Sequence, residues 1–263
     1  MELIRAGNIV ALRIFVVIGL VAASLIITAS GSRPALADGG RASPSLSFFS
    51  GGNGAHADWL ATSDQPPGDT DNQAIRLLTT NGAPTFAKGY AGILVHHVTG
   101  IPAADFPDSS FWNKTPDPYI FEPYTQGSPR LVVSFQNAAG QYDGYAALRQ
   151  VIRGNGWEEV SDVTDYPNSA WDVMNKPAGP CFPFAYSLTW SAAQACFAGD
   201  TTLAVYLVAD AYGIYHLIDD ITVNGTTFSS ASDNGNGNND PMGPMETTDL
   251  SLLPPLPLVD LPR

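Results

Sequence analysis

The nonapeptide YHLIDDITV, Tyr215–Val223, decides the fold. Most of its residues are aromatic, aliphatic or β-branched, and turn-forming residues bound it, as expected of a short β-strand. Four more segments share this character: AIRLLT (74–79), YAGILVHHV (90–98), RLVVSF (130–135) and TLAVYLV (202–208). Short strands separated by connections rich in Gly, Pro, Asn and Asp predict an all-β fold, an antiparallel β-sandwich of the jelly-roll kind.

One short helix is predicted over residues 191–197 (SAAQACF), ended by Gly199. It carries Cys196, and Cys181 is the only other cysteine of the chain. An even cysteine count in an exported chain predicts one disulfide, here between the helix and the preceding loop. A reactive thiol or a soft-metal pair is the alternative, and it would need more ligands than the sequence offers.

Residues 1–37 have the form of an export signal. Arg5 and Arg13 lead an apolar stretch over residues 14–28, and a small-x-small triplet follows at 35–37. This stretch is shorter than the roughly 20 residues that span a membrane, so we expect cleavage before Asp38 and a secreted, extracellular protein. A retained membrane anchor is the alternative, and no later segment of the sequence is apolar enough to cross a membrane.

The remaining chain divides into three parts. A polar lead (38–45) precedes one domain at 46–228, which is long enough to bury a sizeable core. Residues 229–263 form a tail that is rich first in Asn and Gly and then in Pro and Leu. Neither part of the tail has a periodic apolar face, so it is predicted to be disordered.

The charge of the chain excludes two classes of partner. The sequence has 12 basic and 25 acidic residues, for a net charge of −13. Such a field repels nucleic acid and anionic lipid. The acidity keeps an exported protein soluble or collects divalent cations, and it selects no substrate by itself.

The segment YLVADAYGIYHLIDDITVNG (206–225) resembles the closing strands of carbohydrate-binding-module and galactose-binding-like jelly rolls. The features it shares with them are an aromatic and aliphatic run, the Asp219-Asp220 pair and a following β-branched pair. The resemblance covers about a tenth of the domain. It implies a jelly roll, often calcium-stabilised, that binds glycans on a concave face or at loop tips.

One carboxylate of the Asp219-Asp220 pair is predicted to be buried. Strand alternation places the odd-numbered residues of Tyr215–Val223 on one face and the even-numbered residues on the other, so one Asp must lie among apolar neighbours. A buried carboxylate needs a cation or a basic partner, for which Arg76 and Arg130 are the candidates.

The resemblance also implies a calcium site. In such families the first and last strands are neighbours, which would bring Asp69 and Asp71 of an acidic turn close to Asp219 and Asp220. Hard oxygen ligands suit calcium, here as a structural cofactor. The alternative is that Asp69 and Asp71 only form a turn.

Aromatic side chains outside the core are the candidate ligand contacts, because their flat ring faces match the apolar faces of sugars. Three of them lie in a proline-rich connection (99–129), predicted to be a long loop, and two lie in turn-rich segments. The predicted ligand-binding residues are Trp112, Tyr119, Tyr124, Trp157 and Trp171. Trp190, beside the predicted disulfide, is expected in the core instead.

The sequence carries no catalytic signature. G-x-S-x-G and H-E-x-x-H are absent, and Glu158 and Glu159 alternate faces rather than flanking one cleft. These observations favour a secreted, non-catalytic glycan-binding or adhesive domain whose partner is an extracellular glycan or surface. The alternatives are a small secreted hydrolase of polysaccharide or ester, and an extracellular structural protein without a small ligand.

Overall fold

The computed structural model describes residues 45–51, 54–79, 89–115, 129–150, 156–210 and 215–229. The predicted export signal, most of the polar lead and nearly all of the predicted tail lie outside the described residues. Within these ranges no helix is both long and apolar enough to span a membrane.

The described residues form a sandwich of two antiparallel sheets, as the sequence predicts. The strands are β1 Ser45–Gly51, β2 His56–Ala61, β3 Gln73–Leu78, β4 Tyr90–His96, β5 Ser110–Lys114, β6 Arg130–Gln136, β7 Tyr142–Gln150, β8 Trp157–Val160, β9 Ser169–Met174, β10 Ala185–Leu188, β11 Thr201–Asp210, β12 Tyr215–Val223 and β13 Thr226–Phe228. One sheet has the order β1-β4-β11-β6-β7-β9-β10, and the other has the order β2-β3-β12-β5-β8 with β13 paired to β12.

The five strands predicted from the sequence are β3, β4, β6, β11 and β12, and β12 has the predicted bounds. The proline-rich connection is not the continuous loop that was predicted. It contains a 3-10 helix, Ala103–Asp105, and the strand β5. β5 forms because its side chains alternate, with Phe111 and Asn113 buried between more exposed neighbours.

The core lies between the sheets. Ile75 and Leu77 of β3 face Leu131 and Val133 of β6 within one cluster of buried apolar side chains. Each of these four side chains is at most 1% exposed. Val132, between Leu131 and Val133, is equally buried but belongs to a second cluster, so β6 has apolar packing on both of its sides.

The outer faces of the two sheets differ. On the seven-stranded sheet, Phe49, Val132, Tyr145 and Tyr206 form a second buried apolar cluster. The rings of Phe49 and Tyr206 meet edge to face at 6.4 Å, and burial raises the pKa of Tyr206. The outer face of the six-stranded sheet instead carries charged and half-exposed side chains on β3, β5 and β8, with Leu217 and Asp219 of β12 buried among them.

The predicted helix and disulfide are both present. Helix α2, Trp190–Cys196, follows a short helix α1, Asp162–Asp165, which the sequence analysis did not predict. The Thr189 side chain caps α2 by accepting the N–H of Ala192. Cys196 is bonded to Cys181, with their Cα atoms 5.6 Å apart, so the helix is tied to the loop before it.

Candidate functional site

The outer face of the six-stranded sheet brings two of the predicted ligand-binding tryptophans together. In the β5–β8 pair, Trp112 lies opposite Glu159 and Lys114 lies opposite Trp157. Directly opposite residues of an antiparallel pair point to the same side of the sheet. Phe111 is fully buried in the core, so its neighbour Trp112 faces outward, and so does Trp157.

Trp112 and Trp157 are diagonal neighbours in this register. Such positions lie about 7–8 Å apart, which is within reach of large aromatic rings. Both residues are partly exposed. Two partly exposed rings side by side on an open sheet can offer adjacent flat surfaces to a ligand.

Two ion pairs lie on the same face, and one of them contacts Trp157. Asp64 accepts the Trp157 Nε1–H at 3.1 Å with Oδ1 and the Lys114 Nζ–H at 2.5 Å with Oδ2. Farther along the sheet, the Arg76 guanidinium donates to both oxygens of Asp58, at 2.8 and 2.5 Å. The Asp64–Lys114 pair holds a charged donor and acceptor beside the Trp157 ring, whereas Arg76 on β3 and Asp58 on β2 lie two and three strands away from Trp112.

The other predicted aromatic residues do not join this face. The prediction that Trp171 is exposed is wrong: it lies on β9, its side chain is 0% exposed, and its ring lies 4.3 Å from that of Trp190. Trp171 is buried because it points to the inner side of β9, and the turn-rich sequence around it gives no sign of this direction. Trp190, expected in the core, is 5% exposed. Tyr119 and Tyr124 lie outside the described residues.

A cluster of carboxylates lies at the end of the same sheet. The pairing of β3 with β12 brings the turn before β3 to the Asp219-Asp220 pair. Asp69, Asp219 and Asp220 each place one carboxylate oxygen within 4.8 Å of the others. Asp71 is near enough for its charge to act on Asp219.

Asp219 is the buried member of the pair, with a side chain 1% exposed. It lies opposite Trp112 in the β12–β5 pair, so it belongs to the outer face. The alternation predicted for β12 is wrong beyond this residue, because Ile221 and Val223 lie in the core. The register shifts between Asp219 and Thr222, where β12 has one residue more than β5 and Asp220 takes a φ of +44°.

Burial and like charges act together on these carboxylates. Burial, together with the negative charges of Asp71, Asp69 and Asp220, raises the pKa of Asp219 to about 8, although a hydrogen bond from the Asp220 N–H acts in the opposite direction. Burial also raises the pKa of Asp220. The cluster therefore resists carrying its full negative charge unless a positive charge is nearby.

A second carboxyl pair joins the two helices to the core. Asp162 accepts the Trp190 backbone N–H at 2.6 Å with Oδ2 and the Trp171 Nε1–H at 3.3 Å with Oδ1. Burial and a hydrogen bond with Asp162 raise the pKa of Asp108 to about 7. Asp162 is held by structural hydrogen bonds, which makes this pair a support of the fold rather than an open site.

Sequence reasoning missed a group of exposed aromatic side chains around β10. Phe182, Phe184, Tyr186 and Tyr166 are between 37% and 60% exposed, and the rings of Phe184 and Tyr186 lie 5.0 Å apart. The run FPFAY (182–186) carries three aromatic residues and was the available signal. Arg149 and Asp172, which form an ion pair, lie beside this group.

The two adjacent glutamates do not form a catalytic pair. Glu158 accepts a hydrogen bond from the Gln150 side chain, while Glu159 lies opposite Trp112 on the outer face. They point to opposite sides of β8, as the sequence predicts.

No protein-family model matches the chain, and no curated protein matches it. A solved structure, the arabinose-bound MgGH51 α-L-arabinofuranosidase, is similar over 71% of this chain, with a TM-score of 0.36 and 11% sequence identity. This chain spans 26% of the length of that one. A likeness this distant assigns neither a family nor an activity.

Proposed function

We propose that this chain is a secreted, non-catalytic glycan-binding protein, and that the glycan lies on the outer face of the six-stranded sheet. The observation that carries the proposal is the placement of Trp112 and Trp157 as outward-facing diagonal neighbours. The resemblance of residues 206–225 to galactose-binding-like jelly rolls supports it, as does the disulfide, which is typical of exported proteins.

The chemistry of this face suits a neutral sugar chain. Rigid aromatic rings offer a large contact area at a low entropic cost. The ion pair Asp64–Lys114 supplies donors and acceptors for sugar hydroxyls beside the rings, and Asp58–Arg76 supplies more of them farther along the same face. The net charge of −13 disfavours acidic polysaccharides.

The test is binding of the full chain to a panel of neutral polysaccharides, measured by affinity electrophoresis and calorimetry. Trp112→Ala and Trp157→Ala are expected to weaken binding about tenfold each, because each removes one stacking surface. Phe184→Ala is the matched control, since it removes an exposed ring that lies directly before β10 of the other sheet.

Three outcomes would contradict the proposal. If Phe184→Ala abolishes binding and the tryptophan variants do not, the ligand surface is the group around β10. If sugar is released from any polysaccharide, the chain is a hydrolase. If no polysaccharide binds, the structural-protein alternative is favoured.

A further inference from the structure

We propose that Asp69, Asp219 and Asp220 bind one calcium ion, which clips the turn before β3 to strand β12. The three side chains come from two separate segments of the chain, and one oxygen of each lies within 4.8 Å of the other two. Two ligand oxygens on opposite sides of one Ca²⁺ ion are about 4.6–5.2 Å apart, so the cluster has the span of a single calcium shell.

Asp219 gives an independent indication of a bound cation. Its side chain is 1% exposed, and its Oδ1 accepts the Asp220 N–H at 2.8 Å. Its buried Oδ2 accepts no hydrogen bond from any described residue, and the same holds for Oδ2 of Asp69. A buried carboxylate oxygen without a partner is costly unless a cation or a proton satisfies it.

The basic residues predicted as partners of this carboxylate pair with other groups. Arg76 donates to Asp58. Arg130 lies on β6 in the opposite sheet, where its charge acts on Tyr206. The charged groups gathered around Asp219 are the carboxylates of Asp69 and Asp220. The positive charge that the cluster requires is therefore expected from a metal ion.

The donor set selects the kind of ion. Within the described residues the cluster offers carboxylate oxygens and neither histidine nor cysteine, which favours a hard cation over zinc or copper. Ca²⁺ accepts irregular geometry and backbone or water oxygens as further ligands, whereas Mg²⁺ requires a near-ideal octahedron. Oxygens donated from a turn and a β-bulge suit calcium better.

The proposal goes beyond glycan binding and does not depend on it. The test uses the full chain, freed of metal with EGTA and titrated with Ca²⁺ by calorimetry and by thermal unfolding. We expect one ion per chain and a rise in Tm of about 5–10 °C when free Ca²⁺ exceeds its Kd about 100-fold. Mg²⁺ is expected to bind at least about tenfold more weakly.

Variants locate the ion. Asp69→Asn and Asp220→Asn keep the shape of each ligand and remove its charge, and each is expected to weaken Ca²⁺ binding at least about tenfold. Asp105→Asn removes the same charge from an exposed position on the 3-10 helix and is expected to leave the affinity unchanged. The wild-type titration keeps the test decisive even if a variant does not fold.

Several results would overturn the proposal. One is the absence of both binding heat and a Tm shift at millimolar Ca²⁺. Another is equal affinity for Mg²⁺, and a third is an unchanged Ca²⁺ affinity in both cluster variants. If Asp219→Asn raises Tm while Ca²⁺ has no effect, the buried carboxyl is simply neutral and binds no ion.

Discussion

The hydrogen bonds of Asp162 allow a quantitative prediction for the variant Asp162→Ala. Asp162 is 7% exposed and accepts two N–H groups, from the Trp190 backbone and the Trp171 indole. Both donors belong to buried residues. The alanine variant leaves the Trp190 N–H without this acceptor, whereas the Trp171 indole also interacts with the Asp108 carboxyl. One stranded buried donor costs about 1–3 kcal/mol, which predicts a loss of about 1–3 kcal/mol in the free energy of unfolding.

Urea denaturation measures this loss, and thermal unfolding is expected to show a fall in Tm of at least about 2 °C for a domain of this size. Asp162→Asn retains one oxygen acceptor and is expected to lose less stability than Asp162→Ala. Asp165→Ala is the matched control in the same helix, because Asp165 is half-buried and bonds the nearby Asn168 side chain.

A difference of less than about 0.5 kcal/mol between Asp162→Ala and Asp165→Ala would contradict this prediction. That result would mean that the Trp190 N–H also finds another acceptor. A fall in the urea m-value, in contrast, would indicate a change in the unfolded ensemble and would not bear on the hydrogen bonds.

Other predictions concern the core, the disulfide and the pH dependence of stability. Trp171→Ala is expected to cost about 3–5 kcal/mol in urea denaturation because its ring is fully buried, whereas Trp112→Ala should stay within about 1 kcal/mol. Thiol titration of the unfolded, unreduced protein should find no free thiol, and replacing Cys181 and Cys196 with serine should cost about 3 kcal/mol, given their separation of 15 residues. Asp108 has its pKa raised from 3.8 to about 7, so the folded state binds this proton more tightly, and the stability it contributes is present below about pH 4 and lost as the pH rises through 7. Asp108→Asn should flatten the pH dependence of the free energy of unfolding in that window, by less than about 1.4 kcal/mol per pH unit because the group is only half-buried.

Much of the sandwich could be predicted from local sequence. β12 has the predicted bounds, and α2 and its disulfide agree with the prediction. These features depend on composition over fewer than ten residues, on turn-forming residues at their ends and on the cysteine count. Shorter strands such as β8 and β10 escaped prediction, because four residues are too few to display an alternating pattern.

The candidate site was only partly accessible from the sequence. The sequence around Trp112 and around Trp171 predicts exposure for both side chains. In the structure Trp112 faces outward on β5, whereas Trp171 is fully buried on β9. The side of the sheet to which each ring points depends on strand pairing, which links residues far apart in the chain.

The sequence by itself determined the two-sheet class of this protein, its disulfide and the expectation that one of two adjacent aspartates is buried. The tertiary structure decided which one. A single extra residue in β12 turns Ile221 into the core and leaves Asp219 on the outer side, opposite Trp112. It also decided that Asp69 approaches the pair. Asp69 and Asp219 are about 150 residues apart in the sequence, and the pairing of β3 with β12 brings their carboxylate oxygens to less than 5 Å from each other. Alternation is a local property with a period of two, whereas a bulge and a long-range pairing are set by the packing of the whole sandwich.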